Sequence, residues 1–409
     1  MWFSKRRIYL DYASAPPVVP EAIRAMREAE ELIGNPGAIH AEGVAAKKSL
    51  EHSRARIAML LGTQARELVF TSGLTEANNL AIIGYARTLE RNAPRTVLGI
   101  PEGRPLVRGL ESTHWVVSSI EHDAVLECFA EVERMGGTIT HVEPDERGII
   151  TPDSVRKALR KETVFVSIGW ANNEIGTIQP LAKIAHVIRS HEKERGTNII
   201  FHTDAGQGPL YLPTLAHSLG VDLLSLGANK LYGPHGVGAL YRNARAELAP
   251  ILLGGTQERG LRAGTESVAL AAGFAVAFET IVGERDAEAK RIKTVRDEFA
   301  GELLAQIPGL VVNSSPEHTL PHMLNVSIPN ISSEYITLAL DAKGIAVSTK
   351  SACREGEEST SHVVAALYPR PEDVWRTEHT LRFSLGRDTA TGDIRRVVEA
   401  LARVVAKAS

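Results

Sequence analysis

The stretch NIIFHTDAGQGPLYLPTLAHSLGVDLLSLGANKLYGPHG, residues 198–236, decides how the rest of the chain is read. Its first apolar run, Asn198 to Thr203, has the length and flanks of a short buried strand and delivers Asp204 at its carboxyl end, with Gln207 three residues further on. A second run, Val221 to Gly227, ends at Ala228, Asn229 and Lys230 and then enters the turn-rich Tyr232-Gly233-Pro234-His235-Gly236. Open α/β sheets bind ligands beyond the carboxyl ends of their strands, so a carboxylate and an isolated lysine both stand where a ligand would sit.

Outward from this stretch, strand-like and helix-like segments alternate. The pattern predicts helices over 43–61, 74–90, 123–134, 152–160 and 180–194, and strands over 67–70, 114–118, 138–142, 163–168, 198–203 and 222–226. Such alternation implies an α/β fold with a mainly parallel central sheet and helices on both faces. Residues 91–113, with Pro94, Pro101 and Pro105 and no clear period, read as an inserted surface excursion. After Thr265 the pattern changes to long helices over 267–283 and 285–306, short strands near 310–313, 323–328 and 344–348, and a last helix. That helix sets Ile394, Val397, Val398, Leu401, Val404 and Val405 on one stripe facing a core. The expected organisation is a large domain over 17–265 and a smaller α+β C-terminal domain over 266–409.

With 409 residues, 44% of them apolar and 5% aromatic, the chain can bury a large core. A formal charge of −3 gives no electrostatic footprint for nucleic acid or an anionic membrane. Val268 to Val282 is the most apolar long stretch but is too short to span a bilayer, and is expected to be a buried helix. Lys5-Arg6-Arg7 is followed by no apolar targeting segment, so the chain is expected to be untargeted and cytoplasmic. Cys128 and Cys353 are the only cysteines, too few for a disulfide framework or a zinc site. Cys128 lies in an apolar helical run and reads as a buried inert thiol. Cys353 lies in SACREGEEST (351–360), a polar, glycine-containing stretch without apolar period, and reads as an exposed loop thiol.

Lys230 and Asp204 together supply what pyridoxal phosphate needs. A Schiff-base lysine holds the aldehyde, and an acid facing the pyridine nitrogen lets the ring act as an electron sink. An Asp after a strand and a Lys before a Gly-Pro turn also occur on ordinary surfaces, so the pair alone leaves both readings open. Thr71-Ser72-Gly73-Leu74-Thr75-Glu76 adds a small-residue turn from a strand into a helix, whose free N–H groups attract a phosphate. The same residues also make a plain helix cap. His122, at a strand end, has the chemistry of a near-neutral acid–base group or of a hydrogen-bonded structural residue. Arg382 lies in an alternating strand where an ordinary ion pair would serve equally well.

Ten segments in order resemble the motifs of the cysteine desulfurases, pyridoxal-phosphate enzymes of aminotransferase class V. They are IYLDY (8–12), Asn35-Pro36 with His40, FTSGLTEANNLAI (70–82), SSIEHDAVLE (118–127), ANNEIGTIQP (171–180), FHTDAGQ (201–207), GANKLYGPHGVGALY (227–241), QERGLRAGT (257–265), SAC (351–353) and LRFSLGR (381–387). The resemblance implies the fold type I of pyridoxal-phosphate transferases, with residues 1–16 packing on the C-terminal domain, and a homodimer with active sites at the subunit interface. It implies that Lys230 carries the cofactor, that His122 stacks on its ring and that Gln207 donates to its ring oxygen. Gly73, Leu74, Thr75 and Asn229 would surround its phosphate, together with Thr265 of the other subunit. Arg382 would grip the substrate α-carboxylate, Asn173 would contact both the cofactor and that carboxylate, and Asn35 would be a further substrate contact.

Carried over as a mechanism, the resemblance implies that L-cysteine displaces Lys230, that Lys230 or His122 removes the α-proton, and that the Cys353 thiolate attacks the substrate sulfur. The products would be L-alanine and a Cys353 persulfide for a sulfur-acceptor protein, such as an iron–sulfur scaffold or a thiolation factor. Two other readings stay open at this point: another class V activity, such as an aminotransferase or a selenocysteine lyase, with Cys353 incidental, and a non-catalytic binding homologue. The chain departs from the family's pattern at two phosphate donors. The usual serine and histidine before the lysine are here Gly227 and Asn229, which implies weaker cofactor binding.

Overall fold

The computed structural model describes residues 7–92, 110–349 and 360–408. Its strands are β1 (Ile8–Tyr9), β2 (Leu68–Thr71), β3 (His114–Ser118), β4 (Thr138–Val142), β5 (Thr163–Ser167), β6 (Ile200–Asp204), β7 (Leu223–Gly227), β8 (Gly238–Arg242), β9 (Val311–Val312), β10 (Met323–Ser327), β11 (Ile345–Ala346) and β12 (Thr380–Ser384). Seven of them form one sheet in the order β2-β8-β7-β6-β5-β3-β4. The pairs among β7, β6, β5, β3 and β4 are parallel, whereas β8 runs antiparallel to both of its neighbours.

Alternation along each strand separates two cores. Trp115, Phe165, Ile200, Leu223 and Leu240 point to one face, where they meet the Leu74–Asn92 and Asp123–Arg134 helices through Tyr85, Phe129 and Val132. Val116, Val166, Phe201, Leu224 and Ala239 point to the other, against Ile57, Ile184, Phe274 and Phe278. Because both faces are covered, the strands read as continuous apolar runs, and every residue of β3 and β7 is buried. On the first face Trp115 and Phe165 pack with ring centroids 5.0 Å apart, and Tyr85 of the Leu74–Asn92 helix packs on both, at 5.8 and 5.5 Å, which ties the helix to the sheet.

The sheet's predicted elements stand within about two residues of the sequence reading. Two differences have clear causes. Strand β8 was not anticipated, because Gly236-Val237-Gly238 reads as turn chemistry, yet Gly238 pairs with Gly227 and continues the ladder. The two helices expected over 267–283 and 285–306 are one helix, Val268–Gln306. Gly283 costs about 1 kcal/mol there but removes no hydrogen bond, and its neighbours are good helix formers.

The helix leads into a three-stranded antiparallel sheet, order β12-β10-β9. Asn325 of β10 stands opposite Arg382 of β12. The N-terminal segment joins this part of the chain: β1 pairs in parallel with β11 through Ile8–Ile345 and Tyr9–Ala346, and Asp11 bridges to Ser384.

Candidate active site

Five connections leave the carboxyl edge of the large sheet and meet around a cavity of about 340 Å³. Asp204 ends β6, and the 3₁₀ turn Ala228–Lys230 follows β7. The turn Ser72-Gly73 after β2 opens the Leu74–Asn92 helix, His122 follows β3, and Asn173 follows β5. Arg382 enters from β12. All of these residues line the cavity, as do Gln207, Asn229, Leu74 and Thr75.

Asp204 is held by two donors: Asn78 Nδ2 at 2.6 Å and the Gly206 N–H at 2.8 Å. Asn78 lies one turn into the helix that begins at Leu74, so a single element fixes both the acid and the expected phosphate turn. Lys230 Nζ donates to the carbonyls of Ala13 at 2.9 Å and Ser14 at 2.7 Å. Gln207 Nε2 donates to that same Ala13 carbonyl at 2.9 Å, while its Oε1 is buried without a partner. The N-terminal segment therefore forms part of the cavity wall.

Arg382 is 2% exposed. Its Nη1 donates to the Asn173 carbonyl at 2.9 Å and its Nη2 to Asp11 Oδ1 at 2.7 Å, which leaves a buried Nε–H unpaired. A guanidinium carries five N–H donors, so those not engaged in these two contacts can serve an anionic group in the cavity.

At the Ser72-Gly73 turn, Glu76 accepts from the Ser72 N–H at 2.7 Å and from Arg262 Nε at 3.0 Å. Burial opposes its charge, but the hydrogen bonds from Arg262 and Ser72 hold its carboxyl below the usual range. The N–H groups of the helix's first turn, at Leu74 and Thr75, remain available to a phosphate. Gly227 brings no side chain to this region.

His122 caps the Asp123–Arg134 helix, its Nδ1 accepting from the Ala124 N–H at 3.0 Å. With Nδ1 so engaged, the neutral ring carries its proton on Nε2. Beside it, Glu121 is buried in the cavity wall, and burial first, then the nearby Asp204 charge, raises its carboxyl to about 8 despite a hydrogen bond from Gly169.

Two expected site residues lie elsewhere. Asn35 is exposed, its Oδ1 accepting from the Gly37 N–H at 2.8 Å, in a separate cleft facing residues 255–259. It lines that cleft and not the cavity of Lys230. Thr265 is exposed beside Ser72 and Gly236 at a smaller cavity. Cys353 and most of the 91–113 insertion lie outside the described residues. Asp11, Asn78 and Glu121 were not singled out from the sequence, although each stands inside a motif quoted above. Only their contacts with Arg382, Asp204 and Gly169 mark them.

The donor set fits pyridoxal phosphate: a lysine amine and a fixed carboxylate face one cavity, with a helix start for the phosphate and an orphaned amide oxygen and guanidinium N–H beside it. That combination on this α/β sheet defines a pyridoxal-phosphate enzyme of fold type I. The chain belongs to the class V aminotransferase family, whose profile matches residues 8–98 and 107–397. The gap in that match falls inside the 91–113 insertion. The chain is similar to the cysteine desulfurase IscS of Dictyoglomus turgidum, at 37% identity over 98% of this chain and 95% of that one. Among solved structures it is similar to a NifS-like protein, with TM-score 0.86 and 29% identity over 98% of this chain and all of that one. It is also similar to SspA in complex with cysteine, with TM-score 0.75 and 30% identity over 92% of this chain and 98% of that one.

Proposed function

We propose that the protein is a pyridoxal-phosphate-dependent cysteine desulfurase, which takes sulfur from L-cysteine to give L-alanine and a persulfide on Cys353. The observation that carries this reading is the meeting of Lys230, Asp204 and Arg382 in one cavity, in a chain 37% identical to a cysteine desulfurase. Bound there, the cofactor supplies an electrophilic carbonyl for the substrate's amino group and a sink for electrons.

The chain's own residues do the rest. Lys230 holds the cofactor and, once displaced, has the Ala13 and Ser14 carbonyls within reach of its amine. Asp204, fixed by Asn78 and Gly206, would hold the ring nitrogen and Gln207 the ring oxygen. Gly73, Leu74, Thr75 and Asn229 would hold the phosphate. Arg382 receives the α-carboxylate on its unpaired edge, and Asn173 lines the same wall. Lys230 or His122 takes the α-proton. The Cys353 thiolate then forms a bond to the substrate sulfur as the carbon–sulfur bond breaks, the electron pair passing to the carbon side. A sulfur-acceptor protein takes the persulfide sulfur.

In this reading residues 17–265 hold the cofactor, and residues 266–409 with the N-terminal segment supply Arg382 and Cys353. The active species is a homodimer. Exposed Ile33, Ile39 and Leu253, on segments that flank the cleft between 35–38 and 255–259, support a buried contact there. Asn35 and Thr265 then serve the partner subunit's cavity. Among the described residues no helix is long and apolar enough to cross a membrane. Cys353 works as a free thiol, which suits the reducing cytoplasm.

The test is to purify the protein, record its visible spectrum, add L-cysteine with a reductant, and assay alanine and sulfide. Alanine and sulfide in equal amounts, without added 2-oxo acid, support desulfuration, whereas a requirement for a 2-oxo acid means transamination. Lys230→Ala must lose the borohydride-reducible adduct, and an adduct that survives overturns the assignment of Lys230.

A further inference from the structure

Glu121 is a buried titratable group that the mechanism above does not use. Its side chain lines the Lys230 cavity, and it immediately precedes His122. Its Oε1 accepts from the Gly169 N–H at 2.7 Å, and the Ser118 hydroxyl acts on its charge state from the same side of the cavity. Its backbone carbonyl accepts from His362 Nε2 at 3.0 Å. Three segments therefore converge on one residue: the connection after β5 that leads to Asn173, the start of the His362–Leu367 helix, and the turn that carries His122. The approach to Gly169 leaves no room for a side chain, since a Cβ there would stand 2.8 Å from Glu121 Oε2.

We propose that Glu121 is a positioning residue which clamps His122 between the Gly169 connection and the helix that begins at His362. The inference rests on the proposed role of His122.

The charge state follows from what surrounds the carboxyl. Ser118 from β3 and Gly169 from the β5 connection offer uncharged donors. From β6 comes the Asp204 carboxylate, of the same sign. His362, from the C-terminal helix, meets the backbone carbonyl rather than the carboxyl, and His122 is the adjacent residue. Burial and Asp204 both favour the protonated form. The Ser118 and Gly169 donors favour the carboxylate, but burial and the second negative charge it would set beside Asp204 outweigh them.

The test compares E121A and E121Q with the wild-type holoenzyme, because glutamine reproduces the shape and hydrogen bonding of a neutral glutamic acid. E121A is expected to lower kcat roughly 10- to 100-fold, the effect of misplacing a catalytic group by about 1 Å, with KM changed less than about threefold. E121Q is expected to recover most of that loss. Other groups titrate near the same pH, so the difference between two profiles is read. The wild type loses kcat as pH rises through about 8, and E121Q is expected to lack that part of the loss.

Stability gives a second readout. A carboxyl raised from 4.5 to about 8 on folding contributes stability that is full below 4.5 and lost as pH rises to about 8. The Tm of E121Q relative to wild type is therefore expected to climb across that window. An E121Q as impaired as E121A, or an E121A with wild-type kcat, overturns the proposal. If H122A retains wild-type kcat, the reading of His122 itself has failed, and the two failures are distinct.

Discussion

Arg382 Nη2 and Asp11 Oδ1 stand 2.7 Å apart, an ion pair that ties β12 to a residue 371 positions earlier and sets the guanidinium's angle in the cavity wall. Only 3% of the Arg382 side chain is exposed, against 20% of Asp11, so the pair is shielded on its cationic side. In the proposed reading Arg382→Ala removes the partner of the substrate carboxylate, and it leaves Asp11 without the guanidinium it is paired with. The expected loss in cysteine binding is roughly 2 to 4 kcal/mol, as for truncating one member of a buried charge pair. Arg382→Lys should recover little of it, because one ammonium cannot serve Asp11, the Asn173 carbonyl and a carboxylate together. Spectral titration with L-cysteine measures this, and an affinity within threefold of wild type would remove Arg382 from the substrate site.

Cys128 and Cys353 should behave as chemically different thiols. Burial, with the charges of Glu127 and Glu131, pushes the Cys128 thiol up to about 12, and its Sγ donates to the Ala124 carbonyl at 3.2 Å. Almost no thiolate forms there at pH 8, and the thiolate is the nucleophile. Brief alkylation at pH 8 is expected to label Cys353 alone, as read by peptide mass spectrometry. Cys353→Ser should still bind cysteine but release no sulfur, while Cys128→Ala should mobilise sulfur normally at a stability cost of about 1 kcal/mol. Sulfide production by Cys353→Ser would indicate direct elimination instead.

Arg54 and Glu258 form the most enclosed ion pair described, with side chains 3% and 1% exposed and two contacts of 2.7 Å. Glu258 also accepts from the Phe70 N–H at 2.8 Å, and the guanidinium lies 4.6 Å from the Phe70 ring centroid. The pair holds Glu258 and Arg259 at φ of 47° and 59°, a left-handed conformation that such residues adopt only when surrounded by compensating contacts. Arg54→Ala should therefore cost about 3 to 5 kcal/mol, the usual result of leaving one charge buried alone. Exposed pairs such as Arg24–Glu21 should contribute less than about 1 kcal/mol. Denaturant unfolding at fixed protein concentration tests both, and a loss below 1 kcal/mol for Arg54→Ala would mean that water reaches the site.

Much of this architecture was legible in the chain because the sheet is covered on both faces. Runs such as Val221 to Gly227 are apolar throughout, and the polar residue that ends each run marks the edge where ligands bind. Asp204, Lys230 and His122 stand at such ends, Asn173 and Arg382 were marked by the resemblance of their motifs, and all five do share a cavity. What stayed hidden depends on long-range contacts. Nothing local distinguishes Asp11 from a surface acid until β1 pairs with β11 and carries it to Arg382. Asn78 resembles any polar helix residue until the helix is laid on the sheet and its amide meets Asp204. Strand β8 was obscured because glycines that permit close backbone approach are, in sequence, the same glycines that make turns.

The last prediction concerns Gly227 and Asn229, where the family usually carries a serine and a histidine. The φ of Gly227 is −126°, an extended conformation open to any residue, so backbone strain does not require glycine here. Space does more. A Cβ on residue 227 would stand 2.9 Å from Asn229 Oδ1 and 3.0 Å from Leu74 Cβ. The amide of Asn229 has turned into the room that the absent side chain leaves, and Leu74 closes the other side. Gly227→Ser alone must push the Asn229 amide aside and crowd the turn that offers N–H groups to the phosphate. Faster loss of pyridoxal phosphate on dialysis is expected. Gly227→Ser with Asn229→His removes that amide and adds two donors, and a hydrogen bond to a charged group contributes roughly 1.5 to 3 kcal/mol. The double variant should therefore lose cofactor more slowly than wild type by about tenfold or more, with the reaction catalysed unchanged. Equal or faster loss from the double variant would mean that Leu74 cannot yield the few tenths of an ångström the serine needs, and that the cup is built around glycine.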